Sequence, residues 1–163
     1  MTARPIGGLD QTGNWKIDAR FNRPNLAERV RFLGQYRTRV TVTQLDARDF
    51  LKEIRPLGKK VLVYVDPPYL VQGDGLYLDS LTPEDHAELA VKLRKSPHPW
   101  LLTYDADERV TRDLYEGLRA VEFDISHTAQ VQHVGSEYAV FGPTLKVPQL
   151  DVLGAVRARW VAA

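Results

Sequence analysis

The 163-residue sequence contains no cysteine, which excludes disulfide bonds and thiolate metal sites and favours a reducing compartment. It also has no marked excess of either charge, since 22 Lys and Arg residues stand against 21 Asp and Glu residues. Any contact with nucleic acid therefore has to come from a local basic patch. No apolar run approaches the length of a membrane span, and the amino terminus lacks the pattern of a signal peptide. We expect a cytoplasmic protein with no metal site and no membrane partner.

The composition is that of an ordinary globular domain, with 44% hydrophobic and 26% charged residues. The length is that of one domain, and the sequence has no internal repeat and no linker that divides it. Residues 1–14 are rich in Gly, Thr and Pro and are predicted to be loop. Residues 15–143 are predicted to form the main domain, and residues 144–163 a carboxyl-terminal tail that packs as a helix.

The most informative stretch is Val-Leu-Val-Tyr-Val-Asp-Pro-Pro-Tyr at residues 61–69. The apolar run from Val61 to Val65 is typical of a strand buried on both faces in the middle of a parallel sheet. Asp66 ends this run, and Pro67-Pro68 prevents both further strand pairing and an immediate helix. Polar groups just past the carboxyl end of a central strand lie where open α/β sheets bind ligands. A surface turn is the alternative interpretation of the same four residues.

Other patterns predict the elements around this strand. Helices are predicted after Pro24, over 48–55, after Thr82 and over 108–117, and strands over 39–44, 100–104, 121–125 and 136–141. We expect 61–65 to lie between 39–44 and 100–104, with Asp46, Asp66 and Asp105 along one edge of the sheet. The last two strands follow one another without a helix and are predicted to pair antiparallel. His86 shares the buried stripe of its helix and is predicted to be a hydrogen-bonded packing residue.

Residues 15–23 alternate apolar with polar side chains, which predicts a half-buried strand. Lys16, Arg20 and Arg23 place positive charge on it. Two interpretations remain open, a ribbon that lies against a nucleic-acid backbone and an amphipathic strand with a solvated face.

Several of these stretches together resemble the adenine-specific DNA methyltransferases of the Dam-like group. The stretches are Asp-Ala-Arg-Phe-Asn-Arg-Pro-Asn-Leu at 18–26, Tyr-Val-Asp-Pro-Pro-Tyr at 64–69, Leu76-Tyr77 with Asp85-His86, Thr103-Tyr104-Asp105 and, more loosely, 136–141. The resemblance covers residues 15–142. It implies an α/β fold, the carboxyl-terminal portion of a Rossmann-like methyltransferase sheet that closes with an antiparallel strand pair. Residues 15–143 would then be a partial methyltransferase catalytic domain, with S-adenosylmethionine as cofactor and double-stranded DNA as partner.

The chemistry explains why these residue types stand in the motif. An exocyclic amine on a nucleobase is a poor nucleophile because its lone pair is delocalised into the ring. Two acceptors aimed at its N–H groups favour the geometry that frees the lone pair. The resemblance assigns these acceptors to the Asp66 carboxylate and the Pro67 carbonyl, gives Pro68 the shaping of the loop, and places Tyr69 against a flipped adenine.

The resemblance also bears on residues outside this motif. It implies that Asp46 contacts the adenine amino group of the cofactor, whereas capping of the following helix is the other interpretation of that acid. It places Lys16, Arg20 and Arg23 at the edge of the region that approaches DNA. The family's Gly-rich cofactor loop and the acid for the ribose hydroxyls have no counterpart among the 163 residues, and Gly73-Asp-Gly75 does not replace the loop.

Because the Gly-rich cofactor loop and the ribose-binding acid of the family are missing, three functional hypotheses remain. The first is an adenine-specific DNA methyltransferase domain that is complete in its catalytic motif and incomplete in its cofactor site, and a truncated gene, a remnant and one half of a split enzyme with a separately encoded amino-terminal half all remain open. The second is a methyltransferase that acts on a base amino group in RNA, against which the stretch at 20–23 speaks. The third is a non-catalytic DNA-binding or subunit-like remnant.

Overall fold

The computed structural model describes residues 10–16, 18–19, 21–70, 81–127, 133–147 and 157–162. The chain divides into two compact units, Met1–Leu45 and Asp46–Ala163, and each is described by itself. In the first unit, helix α1 spans Arg23–Gly34. It begins at Asn22, whose side chain accepts the Asn25 N–H at 3.2 Å, with Pro24 in its first turn. The predicted helix after Pro24 is therefore confirmed.

The strands predicted in the first unit are wrong. Around Lys16 the chain forms turns, in which the Ala19 N–H bonds the Lys16 carbonyl at 3.0 Å, and Trp15 is 73% exposed. Residues 39–44 likewise form no strand. Alternation of side chains gives a segment the capacity to form a strand, but no other described segment pairs with either of these two. The local turn bonds therefore take the place of a ladder near Lys16.

The second unit opens with helix α2, Ala47–Ile54, which agrees with the helix predicted over 48–55. A 3₁₀ segment, Arg55–Lys60, follows it. Gly58 within this segment has a φ of 56°, a left-handed conformation that suits glycine and turns the chain toward the first strand.

The described strands form one mixed sheet in the order β1-β2-β4-β3-β5. The strands are β1 Val63–Val65, β2 Trp100–Asp105, β3 Ala120–His127, β4 His133–Phe141 and β5 Ala158–Ala162. β1 and β2 are parallel, and the other pairs are antiparallel. The second unit is therefore a mixed α/β structure. The expected antiparallel pairing of the last two predicted strands, now β3 and β4, is confirmed.

The expectation of a central strand at 61–65 is only half right. β1 pairs with β2, as predicted, but no described strand lies on its other side, so it is an edge strand in the described sheet. The strand is also buried on one face only, because Val63 is 8% exposed and Tyr64, on the opposite face, is 60% exposed. An apolar run predicts a strand well, but it does not show how many neighbours the strand has.

Helix α3, Pro83–Arg94, packs over one face of the sheet. Thr82 caps it through a capping box, in which the Thr82 hydroxyl accepts the Asp85 N–H at 3.2 Å and the Asp85 carboxylate accepts the Thr82 N–H at 3.0 Å. Its buried stripe is His86, Leu89, Ala90 and Leu93, as predicted. The Nδ1 atom of His86 lies 2.5 Å from the Tyr104 hydroxyl, which confirms His86 as a hydrogen-bonded packing residue.

Two predictions for the rest of the unit need correction. The helix expected over 108–117 begins as predicted, with residues 108–109 α-helical and Val110–Leu114 π-helical, but it ends early because the chain turns at Gly117, φ 73°, to enter β3. The described part of the tail, residues 157–162, does not form a helix, and Ala158–Ala162 form β5 along β3. Trp160 on this strand packs against Phe141, with 5.9 Å between the ring centroids. No helix among the described residues is long and apolar enough to cross a membrane.

Candidate functional site: the Asp66–Leu70 loop and its pocket

The Asp66–Leu70 loop leaves the carboxyl end of β1, beside the carboxyl end of β2. The two strands are parallel and in register, with Val65 opposite Leu102, so Asp66 and Asp105 emerge at the same edge of the sheet. This agrees with the prediction for these two acids. Asp66 is exposed, whereas Pro67 directly after it is buried. The loop thus presents a carboxylate from a turn that is itself packed into the protein.

Three hydrogen bonds fasten this loop to β2 and β4. The Thr103 hydroxyl donates to Asp66 Oδ1 at 3.0 Å. The Tyr69 hydroxyl donates to Glu137 Oε1 at 2.7 Å, and the Leu70 N–H donates to Asp105 Oδ1 at 3.3 Å. The loop is therefore held at its beginning and at its end by neighbouring strands, so its orientation is set by the fold.

Thr103 links Asp66 to a second hydroxyl. The Tyr64 hydroxyl lies 3.0 Å from Thr103 Oγ1. A hydroxyl has one hydrogen to donate, and that of Thr103 goes to Asp66, so Tyr64 donates to Thr103. Within the described residues, the other oxygen of Asp66, Oδ2, has no hydrogen-bond partner. One carboxylate oxygen is thus anchored and the other is free to accept.

Tyr69 is anchored at its hydroxyl and packed at its ring. Burial, and then the hydrogen bond to Glu137, raise the pKa of Tyr69 above its usual range, so the phenol stays protonated and remains a donor. Glu137 is only 8% exposed. The ring lies against Tyr104, with 6.4 Å between the centroids, and is half-buried. The Tyr69 ring is therefore fixed in orientation rather than free to rotate.

A pocket of about 310 Å³ opens beside the loop, within the size range of small-molecule sites. Its lining includes Asp66, Pro67 and Pro68 together with residues of α2, β1 and α3. The other lining residues are Asp46, Ala47, Arg48, Phe50, Leu51, Val63, Tyr64, Val65, Leu81, Asp85 and Leu89. Asp46 and Asp66 thus line the same pocket. Asp46 follows no strand, however, so its predicted place at the carboxyl end of a strand of the sheet is wrong.

Asp46 performs the capping role that was one of its two interpretations. Its Oδ1 accepts the Arg48 N–H at 2.8 Å, and the Arg48 guanidinium binds both of its carboxylate oxygens, each at 2.8 Å. These hydrogen bonds lower the pKa of Asp46 to about 2, so it is ionised at neutral pH. Arg48 also bonds Asp85 at 2.6 Å and Glu88 at 2.9 Å. Contact of Asp46 with a cofactor stays a prediction.

The predicted DNA-binding residues belong to the first unit. Lys16 is exposed, and its Nζ donates to the Gln11 carbonyl at 2.5 Å. Arg23 is exposed at the first position of α1. Arg20 lies outside the described residues, and so do Leu76-Tyr77 and Gly73-Asp-Gly75.

The sequence did not reveal the residues that support the loop. Thr103 belongs to one of the stretches that resemble the methyltransferase family, but no pattern indicated that its hydroxyl reaches Asp66. Glu137 is an acid on an alternating strand, which ordinarily predicts a solvated side chain. A pocket residue was missed as well, since the sequence pattern of α2 did not indicate that Phe50, which is 38% exposed, lines the pocket. These contacts join residues far apart in the chain.

The residues that the structure describes contain no group of three or more His, Cys, Asp or Glu side chains arranged to hold a metal ion. No protein-family model matches the chain, and no curated protein or solved structure matches it significantly.

Proposed function

We propose that the chain belongs to an adenine-specific DNA methyltransferase, which moves a methyl group from S-adenosylmethionine to the amino group of an adenine in double-stranded DNA. The observation that carries this proposal is the exposed Asp66 carboxylate, which is held through Oδ1 while Oδ2 has no partner among the described residues, beside a pocket of about 310 Å³. The finer interpretation of the fold, the carboxyl-terminal portion of a Rossmann-like methyltransferase sheet, is supported by the parallel β1–β2 pair and the antiparallel β3–β4 pair.

Asp66 and Pro67 would act on the amine that reacts. Asp66 Oδ2 accepts one N–H of the adenine amino group and the Pro67 carbonyl accepts the other, so the nitrogen lone pair turns away from the ring. Because Thr103 holds Oδ1 and two prolines stiffen the turn, neither acceptor has to be ordered when the base arrives. Tyr69, with its ring fixed by Glu137, would contact the face of the flipped base.

The pocket has side chains that fit the cofactor's adenine end. S-adenosylmethionine supplies an electrophilic methyl group when it is bound. Phe50, Leu51 and Leu81 offer apolar walls for a purine. Asp46 Oδ2 and Asp85 Oδ1 each accept one N–H from Arg48 and keep a second acceptor position for an amino group. The 163 residues include no Gly-rich loop for the methionine end, so we propose that an amino-terminal methyltransferase half supplies that contact.

The test is substitution of Asp66 in an enzyme completed with an amino-terminal methyltransferase half. Asp66→Ala should slow the transfer of tritiated methyl groups to unmethylated duplex DNA by about a hundredfold or more, because one fixed acceptor is lost. DNA binding should stay close to that of the wild type. Glu84→Ala, which removes an exposed acid in the first turn of α3, is the matched control and should leave transfer unchanged.

The same assay separates the competing functions. Near-normal transfer by Asp66→Ala contradicts the assigned site, and label that enters RNA but not DNA favours the RNA methyltransferase. A non-catalytic remnant is supported by one observation, that both oxygens of the Asp46 carboxylate are already bound by Arg48. That alternative predicts DNA binding without transfer, even in the completed enzyme.

A further inference from the structure

A second cavity, of about 150 Å³, lies between α2 and the carboxyl-terminal end of α3. We call it the basic groove, and its lining residues are Arg48, Leu51, Lys52, Arg55, Lys92, Lys95, Ser96 and Pro97. Five of these eight residues are Lys or Arg, and none is acidic. The whole chain has a net charge of only +1, so the groove is a local concentration of positive charge.

Two of the five cations are already neutralised. Arg48 bonds Asp46, Asp85 and Glu88, and Lys52 bonds Asp49 at 2.7 Å. In the part of the chain that the structure describes, no ion pair involves the remaining three, which are Arg55, Lys92 and Lys95. Arg55 and Lys95 are exposed, and Lys92 is half-buried. Three cations are therefore available to an anionic partner.

The fold holds the two sides of the groove together. His98 is 1% exposed, and its Nδ1 bonds the Gly58 carbonyl at 2.5 Å, which ties the 3₁₀ segment after α2 to the loop after α3. The Arg48–Asp85 pair, at 2.6 Å, joins α2 to α3 near their beginnings. The cations thus project from backbone segments whose separation is fixed by buried or half-buried contacts.

Stabilisation of the helix ends does not account for this charge. Cations near the carboxyl end of a helix interact favourably with its dipole, and Lys52 and Lys92 stand in the last turns of α2 and α3. Each helix end carries about half a negative charge, so two ends together offset about one of the three unpaired cations. About two unpaired cations therefore remain among the side chains that line the groove, and the surplus carboxylate charge at Arg48 belongs to Asp46, Asp85 and Glu88, none of which lines it.

The kind of anion follows from the groups that are present. Helix ends of this polarity present carbonyl oxygens rather than N–H groups, so the groove lacks the backbone donors that cradle a single phosphate. Long Lys and Arg side chains neutralise successive phosphates of an extended chain and release its counterions. We infer that the basic groove binds the phosphodiester backbone of a nucleic acid, and the choice of duplex DNA rests on the proposed function. The groove shares Arg48 and Leu51 with the pocket beside Asp66.

Fluorescence anisotropy of a labelled duplex with the full chain tests this inference. The triple variant Arg55→Gln, Lys92→Gln, Lys95→Gln removes the three unpaired cations. Its affinity should fall about tenfold or more, and the slope of log K against log salt should become shallower by about 2 to 3. The control triple Arg112→Gln, Lys146→Gln, Arg157→Gln removes the same charge from residues that do not line the groove, and it should stay within about twofold of the wild type.

Several results would overturn the inference. One is an unchanged affinity in the groove variant, and another is an equal loss in both triples, which would reflect net charge alone. Displacement of DNA by inorganic phosphate at constant ionic strength would indicate a single-anion site instead. Groove-dependent binding of anionic phospholipid vesicles with no effect on DNA would assign the groove to a membrane. Circular dichroism melts of each variant show whether it is folded.

The outcome is separable from that of the proposed function. Asp66→Ala leaves the groove intact and should bind the duplex as the wild type does. If the groove variant loses DNA affinity but the completed enzyme transfers no methyl group, the groove stands and the catalytic proposal fails. If the completed enzyme transfers methyl groups and the groove variant binds the duplex normally, the catalytic proposal stands and the groove proposal fails.

Discussion

At the scale of single residues, the Thr103 hydroxyl decides how Asp66 is oriented. It donates to Asp66 Oδ1 and accepts from Tyr64, so the carboxylate has one fixed oxygen. Thr103 is 8% exposed on β2, a position where a β-branched residue fits the strand. Its replacement by valine keeps the shape and removes two hydrogen bonds, the one donated to Asp66 and the one accepted from Tyr64.

We therefore expect Thr103→Val to slow methyl transfer by the completed enzyme about tenfold, since a hydrogen bond to a charged group contributes about 1.5–3 kcal/mol and only part of it acts on orientation. Single-turnover rates with tritiated cofactor measure this, and duplex affinity should not change. Thr103→Ser restores the hydroxyl and should restore most of the rate. Equal rates for the valine variant and the wild type would show that Asp66 needs no support from β2.

At the scale of elements, local sequence signals predicted the helices α2 and α3 of the second unit well, but they did not predict every pairing of the strands. The signals for α2 and α3 are local ones, the caps at Asp46 and Thr82 and the buried stripe of α3. The bounds of both helices were therefore predicted to within about one residue. The strand expected over 39–44 and the helix expected in the tail depended on partners far along the chain. The pairing of β5 with β3 joins residues near 160 to residues near 122, which no short pattern shows.

In the candidate site, too, local features were predicted and long-range contacts were not. Its motif and the shared edge of Asp66 and Asp105 were predicted, because parallel strands end together. The supports were not, because the Thr103–Asp66 and Tyr69–Glu137 bonds span 37 and 68 residues.

The capping box of α3 has a consequence for stability. Thr82→Ala removes the hydroxyl that accepts the Asp85 N–H, and it should lower the free energy of unfolding by about 1 kcal/mol. Urea unfolding followed by circular dichroism measures the change. Thr82→Ser keeps the oxygen and should lose less than half as much. A loss of several kcal/mol in the alanine variant would mean that Thr82 supports more than the helix start, for instance the pocket edge at Leu81.

At the scale of the whole molecule, the edge of the sheet at β1 is open in the described structure. β1 pairs only with β2 among the described strands, and Leu62 and Tyr64 beside that edge are each 60% exposed. A strand edge with exposed apolar residues is a template for pairing with another chain. We expect the purified chain to self-associate as its concentration rises, which sedimentation velocity measures. A monomer at every concentration tested would show that this edge is protected.

The last prediction is that the 163-residue chain by itself does not methylate DNA at a useful rate. The pocket has groups for the adenine end of the cofactor, but the sequence has no Gly-rich loop for the methionine end, so the methyl group would be poorly aimed at the amine beside Asp66. A displacement of about 1 Å can already reduce a rate a hundredfold. Incubation with tritiated S-adenosylmethionine and unmethylated duplex should give label near background, and calorimetry should show weak cofactor binding. Addition of an amino-terminal half should raise the label in the wild type but not in Asp66→Ala. Robust label in adenine from the chain alone would show that the pocket beside α2 is sufficient to hold the whole cofactor.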